Sequence, residues 1–457
     1  MTIYVPQLEN EGSRYQAIAA AIERDIQVGT LKPGDRLPTH RDLADRLGVT
    51  VGTVTRGYAE AERRGLTQAV VGRGTFIRGY QREDPWPEHL AEPGMVDFTL
   101  SLPLHLPEEE RLLAETLSEL ARDPRIGASL RYEAESASVD QKSIVASWLQ
   151  RMGLFPKPEQ VLVTCGSQHS LNVVLSSLFQ PGQVLVTTAL TYPSLKAIAK
   201  SFGLKLRAVP MDAEGMQVEG LIKALASEPK PHGVYLDPTL QNPTTAVMSL
   251  RRRKEIAEVV RRHDVLLVED DVHGFLLPEP MPPISSWLPE QSIYLSSVAK
   301  CLNPGLRTGF LCAGTALIRR LLSGIHNTVW MPPPLMVELT CRWLANGVAV
   351  RLIQAKRLEI QRRQMEAARI LAGHDFLAHP YGYQIWLRLP EPWSTEAFVL
   401  AGAEAGIKVI GAGAFAVNRM VIPQAIRISL GVPSWEEMRL GLLRLRTLLA
   451  SSPSSYF

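Results

Sequence analysis

The sequence predicts a multidomain protein: a small helical domain closed by a hairpin, then a large α/β domain on a mainly parallel sheet. Three observations carry this. The chain has 457 residues, more than one core usually organises. Its first eighty residues show three successive helical periodicities followed by a glycine-centred turn between short extended runs. From about residue 97 onward, continuous apolar runs alternate with helical segments, the mark of strands covered on both faces.

The first helix is predicted from Tyr15, Ile18, Ala19, Ile22 and Ile26, which recur at helical spacing. Leu31-Lys32-Pro33-Gly34-Asp35-Arg36-Leu37-Pro38 breaks it and runs extended. Thr39-His40-Arg41-Asp42 has a capping-box pattern and opens a short second helix with Leu43 and Leu47 on one face. Gly48-Val49 makes the turn. Thr50 caps a third helix whose buried stripe is Val54, Tyr58 and Ala61, and Gly65 ends it. Leu66 to Val71 and Thr75 to Arg78 then flank Gly72-Arg73-Gly74 as a hairpin.

Helix, helix, tight turn, helix and hairpin together make a winged helix-turn-helix. Residues 31 to 78 hold nine Lys/Arg against five Asp/Glu, an excess suited to phosphate contacts. The third helix would enter the major groove with its N-terminal residues nearest the base edges, which singles out Thr50, Thr53, Thr55 and Arg56. Arg73 at the hairpin tip would reach the minor groove or the backbone. The segment resembles the GntR-type winged-helix family. That resemblance puts Arg41, Thr50, Thr53 and Thr55, with Gly72 and Arg73 of the wing, on DNA-contact positions. Val51 and Gly52 depart from the polar or basic residues common there, so no operator sequence carries over. The head is assigned to residues 1–78. A linker with three prolines and no clean periodicity follows at 79–96, and the body occupies 97–457.

Composition sets bounds rather than a function. Hydrophobic residues make up 46% and charged residues 21%, as in a soluble globular protein. A net charge of +3 is too small to identify a nucleic-acid partner by itself. Four cysteines without metal-ligand spacing point to a reduced, cytoplasmic compartment. No apolar stretch of membrane-spanning length and no export signal are read, so no membrane partner is expected.

In the body the strand candidates are Val161–Thr164, Val184–Thr188, Leu206–Val209, Gly233–Asp237, Val265–Glu269, Ile293–Ser296 and Gly309–Ala313. Such sheets bind ligands at the carboxyl ends of their strands, and the polar constellations follow those ends. They are Cys165-Gly166-Ser167-Gln168-His169 opening a helix, Asp237 to Thr244, Glu269-Asp270-Asp271-Val272-His273, and Ser296 to Gly309 around Lys300. This set suits an aldehyde cofactor, pyridoxal 5'-phosphate (PLP). Lys300 is the imine-forming amine, and Asp270 is the carboxylate that keeps a pyridine nitrogen protonated. Asn242 is the donor to a phenolate oxygen. Gly166, Ser167, Ser297 and Arg307 are the amides, hydroxyls and cation for a phosphate. Tyr192 could stack on the ring.

These four elements in this order resemble the fold-type I PLP enzymes, the aspartate aminotransferase-like family, over roughly residues 97 to 450. The resemblance implies a seven-stranded sheet with a smaller α+β subdomain. It matches Lys300 to the Schiff-base lysine, Asp270 to the pyridine partner, Asn242 to the O3' donor and Tyr192 to the stacking aromatic. Gly166, Ser167, Ser297 and Arg307 match the phosphate cup, and Arg427, in Ala425-Ile426-Arg427-Ile428-Ser429-Leu430, matches the arginine that grips a substrate carboxylate. His273 stands where the family usually has a tyrosine bonding the phenolate oxygen. Thr245 replaces a common glycine, and Ala137 stands where glycine is frequent.

A GntR-type head on an aminotransferase-like body resembles the MocR subfamily of bacterial regulators. The resemblance implies a PLP-dependent regulator that binds double-stranded operator DNA and senses an amino acid or amine by exchange at Lys300, with Arg427 steering its carboxylate. A homodimer that exchanges heads is also implied. Two other readings stand beside it: an active aminotransferase carrying a DNA-binding head, and a DNA-binding dimer whose PLP body is structural.

Overall fold

The computed structural model describes residues 4–8, 13–31, 35–64, 66–70, 74–77, 94–133, 135–418 and 422–452. It divides into two compact units, Met1–Pro87 and Glu88–Phe457. The linker assigned to 79–96 lies mostly outside the described residues, as do Gly72 and Arg73.

In the first unit, helices Arg14–Gln27, His40–Leu47 and Val51–Arg63 precede the antiparallel strands Thr67–Val70 and Gly74–Ile77. The core is the predicted stripe: Ile18, Ile22, Leu43, Val54, Tyr58 and Ala61 are buried together. Gly57 makes a close approach that hydropathy does not reveal. A Cβ there would stand 2.9 Å from Ile18 Cγ2, so glycine lets the third helix lie against the first. The extended entry segment joins the wing, since Leu37 N–H donates to Thr75 O at 2.9 Å and Ile77 N–H to Asp35 O at 2.8 Å. The capping box expected at Thr39 is only half formed. Thr39 accepts from Asp42 N–H at 3.2 Å, but the Asp42 carboxylate accepts from the Thr39 hydroxyl at 2.7 Å instead of reaching back to the backbone.

The second unit is built on a seven-stranded sheet. Its strands lie in the order Val161–Thr164, Gly309–Ala313, Ser292–Ser297, Leu266–Asp270, Pro231–Leu236, Val184–Thr188 and Lys205–Val209. All neighbours pair in parallel except around Gly309–Ala313, which is antiparallel to both. Hydropathy cannot show that reversal, because a strand buried on both faces reads the same in either direction. Successive residues face different cores: Leu185 packs with Leu171, Leu175 and Tyr235 on one side, Val186 with Val234, Leu236 and Ile256 on the other. The predicted strand Val265–Glu269 runs one residue later, as Leu266–Asp270, so Asp270 ends the strand instead of following it. A four-stranded antiparallel sheet, Phe376–Ala378, Gln384–Arg388, Ala425–Ser429 and Ile410–Gly411, forms the smaller α+β part.

The register explains where side chains gather. Gly309 pairs with both Ser297 and Thr164, so the reversed strand begins at the edge where its neighbours end. Asp270 pairs with Leu295, and Glu269 with Leu236. One rim of the sheet therefore carries Gly166, Asp237, Asp270, Ser297 and the turn before Gly309.

Candidate functional site

Lys300 lies in the short helix Val298–Cys301, whose first turn is capped by Ser297 Oγ accepting from Ala299 N–H at 3.0 Å. Its ammonium donates to the carbonyl of Ser101. Burial, with Arg427 nearby, lowers the Lys300 pKa to about 8, although Asp270 opposes the shift. A neutral, nucleophilic amine is thus accessible near physiological pH.

Asp270 is buried at the end of its strand. One carboxylate oxygen, Oδ2, accepts from Tyr235 Oη at 2.8 Å, and the other, Oδ1, is buried without a partner. Burial raises its pKa to about 6; the Tyr235 bond works against that rise, Asp271 adds to it and Lys300 reduces it. His273 is also buried, and burial together with the charges of Lys300 and Arg427 pushes its pKa down to about 3, so the imidazole is neutral.

Arg427 stands on Ala425–Ser429, buried over the Phe415 ring with its guanidinium carbon 5.0 Å from the centroid. It donates to Asn242 Oδ1 at 2.9 Å and to the carbonyl of Thr99, while its Nε is buried without a partner. Burial lowers its pKa to about 10. The ordinary alternative for such a residue, an ion pair to a strand carboxylate, is not what the described residues make.

Gly166 has φ of +92°, and a Cβ on it would stand 3.0 Å from the Arg307 guanidinium. A Cβ on Gly309 would stand 2.6 Å from the Gly166 carbonyl carbon. The helix Ser167–Leu178 starts here, so its free amides and Arg307 share one corner, and Ser297, paired with Gly309 beside it, donates its hydroxyl to Thr308 O at 3.1 Å. Arg307 donates to the carbonyls of Cys165 at 2.9 Å and Pro304 at 3.4 Å, and the residue is exposed. Tyr192 precedes the helix Pro193–Ser201, and burial raises its pKa, with Asp270, Arg427 and Arg307 among the charges it senses.

Thr245 has φ of +63°, a left-handed conformation that a β-branched residue adopts at a cost. This accounts for the glycine that the resemblance expected there. The sequence gives no sign of roles for Tyr235, Thr99 and Ser101, and Asp237 stands in a polar constellation without an assigned role. Tyr235 and Asp237 read as parts of a strand, and Thr99 and Ser101 act through backbone carbonyls, which leave no residue-type signal.

In the head, Arg41, Thr50, Thr55 and Arg56 are exposed and Thr53 is half-buried at the start of the third helix. Thr50 caps that helix by accepting from Thr53 N–H at 3.2 Å, and the two hydroxyls lie 2.9 Å apart. Thr55 donates to Val51 O at 3.0 Å and meets His40 Nδ1 at 3.1 Å. No group of His, Cys, Asp or Glu among the described residues has a metal-binding arrangement. No helix among them is long and apolar enough to cross a membrane.

A body with this sheet, this rim and a lysine at this place is that of a fold-type I, aminotransferase-like protein. The model of the family "Aminotransferase class I and II" matches residues 132–442, and that of "Bacterial regulatory proteins, gntR family" matches residues 14–77. The chain is 31% identical over 442 residues to the HTH-type transcriptional regulator YdeF of Bacillus subtilis, named as uncharacterised; the match covers 95% of this chain and 94% of that one. It is 27% identical over 400 residues to the vitamin B6 salvage pathway transcriptional repressor PtsJ of Salmonella typhimurium, covering 86% and 89%. Among solved structures, LysN, an α-aminoadipate aminotransferase of Thermus thermophilus complexed with N-(5'-phosphopyridoxyl)-L-leucine, superposes with a TM-score of 0.71 at 25% identity, covering 78% of this chain and 92% of that chain. The chain belongs to the GntR-type transcriptional regulators with a class I and II aminotransferase body, the MocR arrangement. Its head is a DNA-binding domain, and the cofactor of such a body is PLP. The donor set fits that group: a buried amine of lowered pKa, a carboxylate oxygen left without a partner, and a glycine corner beside a guanidinium.

Proposed function

We propose that this regulator senses a small amino acid or amine at the body's site and passes the signal to the head. One observation carries the proposal: Lys300 and Arg427 both donate to carbonyls of one short stretch, Ser101 and Thr99, and that stretch directly follows the linker. In this reading the head is 1–78, the linker 79–96 and the body 97–457. When bound, PLP supplies an aldehyde that condenses with a primary amine. Lys300 would hold it, Asp270 Oδ1 would face its pyridine nitrogen, and the Asn242 amide nitrogen would donate to its phenolate oxygen. Neutral His273 would add one N–H there. Gly166, Ser167, Ser297 and Arg307 would hold the phosphate, and Tyr192 would cover the ring.

The stretch 98–101 is hooked at both sides. Phe98 N–H donates to Lys408 O, Ser429 N–H donates to Phe98 O, both at 2.9 Å, and Asp97 accepts from Thr99 N–H at 2.7 Å. A cofactor engaging Lys300 competes with the Ser101 carbonyl, and an effector carboxylate engaging Arg427 competes with the Thr99 carbonyl. Thr99 and Ser101 are half-buried, and a backbone carbonyl that loses its donor there must find another, from the chain or from water, so the stretch is released to take a different arrangement. An effector shifts the balance between the two arrangements only by its differential affinity for them. Arg41, Thr50, Thr53, Thr55 and Arg56, with Gly72 and Arg73 of the wing, would read DNA; the protein would work in the cytoplasm as a homodimer, and exchanged heads would couple both sites to both readers.

The test is to titrate the PLP-reconstituted protein with a panel of amino acids and amines, following the near-visible absorption band and, on the same samples, operator affinity. One ligand should alter both at the same concentration. Steady turnover of amino-acid and keto-acid pairs, without change in DNA affinity, would favour the aminotransferase reading. DNA affinity indifferent to both PLP and amines would favour a structural body.

A further inference from the structure

We propose that Tyr235 and Asp237 are a positioning pair that sets Asp270 and Asn242 from a single strand end. This rests on the reading that Asp270 and Asn242 address opposite edges of the PLP ring. Tyr235 lies in Pro231–Leu236 and Asp237 comes directly after it, so the two are separated by one residue and fall on the same side of the extended chain. Both are buried, and a hydroxyl and a carboxyl there each need a partner.

Those partners are the two candidate ring contacts. Tyr235 Oη donates to Asp270 Oδ2 at 2.8 Å, taking one carboxylate oxygen and leaving Oδ1 unpartnered. That fixes the carboxylate in one rotation and adds a donor that favours its ionised form. Asp237 Oδ2 accepts from Asn242 N–H at 2.8 Å. The Asn242 Oδ1 then accepts from the Arg427 guanidinium at 2.9 Å, which orients the amide and leaves its nitrogen for the site. The turn between them is held independently: Gln241 Oε1 accepts from Thr244 N–H at 3.0 Å and Thr244 Oγ1 at 2.6 Å, and Gln384 Nε2 donates to Gln241 O at 3.2 Å. Asp237 therefore sets the backbone position of Asn242 without having to build the turn. The charged and titratable groups facing Asp270 are Tyr235, Asp237 and Tyr192, with Asp271 beside it and Lys300 across the site.

The experiment uses full-length protein reconstituted with PLP, with melting temperature and far-ultraviolet dichroism recorded for every variant. Tyr235→Phe keeps the ring and removes the donor. It should raise the PLP dissociation constant by about tenfold and move the acid limb of the absorption band to higher pH, because the carboxylate loses a bond that favours its charge. Asp237→Ala should weaken PLP binding and shift the band, whereas Asp237→Asn, which keeps an acceptor oxygen for Asn242 N–H, should restore both. A folded Tyr235→Phe with affinity within twofold of the parent and an unmoved pH profile overturns the Tyr235 half. An Asp237→Asn variant as impaired as Asp237→Ala overturns the Asp237 half. Absence of a band in the parent protein, or its survival in Lys300→Ala, sinks the underlying reading instead.

Discussion

The head presents its candidate DNA-contact residues to solvent, while the body encloses its candidate site. Arg41, Thr50, Thr55 and Arg56 are exposed at helix starts, held by local caps that a short sequence window specifies. Asp270, His273, Asn242 and Arg427 are each less than a tenth exposed and come from three separate segments, Asp270 and His273 sharing one. Exposed contacts add independently to an affinity. Buried groups sharing partners do not, because removing one leaves the others unpaired in a place without water. The two regions should therefore respond differently to substitution, the body in an all-or-none way and the head by degrees.

The largest effect is expected from Lys300→Ala, which should abolish the near-visible PLP band and the response of DNA affinity to amines. Operator binding by the ligand-free protein should persist; its loss would break the separation of the two regions. Next, Arg41→Ala should weaken operator binding by about tenfold and lower the slope of log affinity against log salt by about one, as loss of one phosphate contact does. The PLP band should stay intact, and its disappearance would mean that the head supports the body's site. A smaller effect sharpens the view of the buried site. With Lys300 held near pKa 8, the rate of PLP uptake should rise with pH through about 8, not through the usual lysine value. The sign follows from burial favouring the neutral amine, and a stopped-flow rate that stays flat from pH 7 to 9 would contradict it. The smallest concerns Thr245→Gly. Relief of the left-handed strain, about 1–3 kcal/mol, outweighs the added chain entropy of glycine, about 0.5–1 kcal/mol. The variant should be more stable by about 1 kcal/mol in chemical denaturation, and a destabilised variant would show that the threonine's packing matters more.

Much of the fold was legible because it depends on patterns within a few residues. The head's three helices follow from periodicity and from Thr39 and Thr50 as caps, and the seven apolar runs are the seven strands of the body's sheet. The direction of Gly309–Ala313 was not legible, nor was the need for Gly57 beside Ile18. Lys300, Asp270, Asn242 and Arg427 could be picked out because their chemistry demands particular residue types. Tyr235 could not, since an aromatic in a strand is ordinary, and Asp237 stood in a polar constellation with nothing to mark what it holds.

The sequence by itself determined the two-part organisation, the elements and the residue types gathered at strand ends, since these follow from local hydropathy, capping and turn chemistry. Only the tertiary structure decided what those residues touch. Lys300 meets a carbonyl 199 residues away and Arg427 one 328 residues away. A backbone carbonyl is the same in every residue, so no side-chain pattern could have announced either contact; they exist because chain folding brings the stretch after the linker to the rim of the sheet.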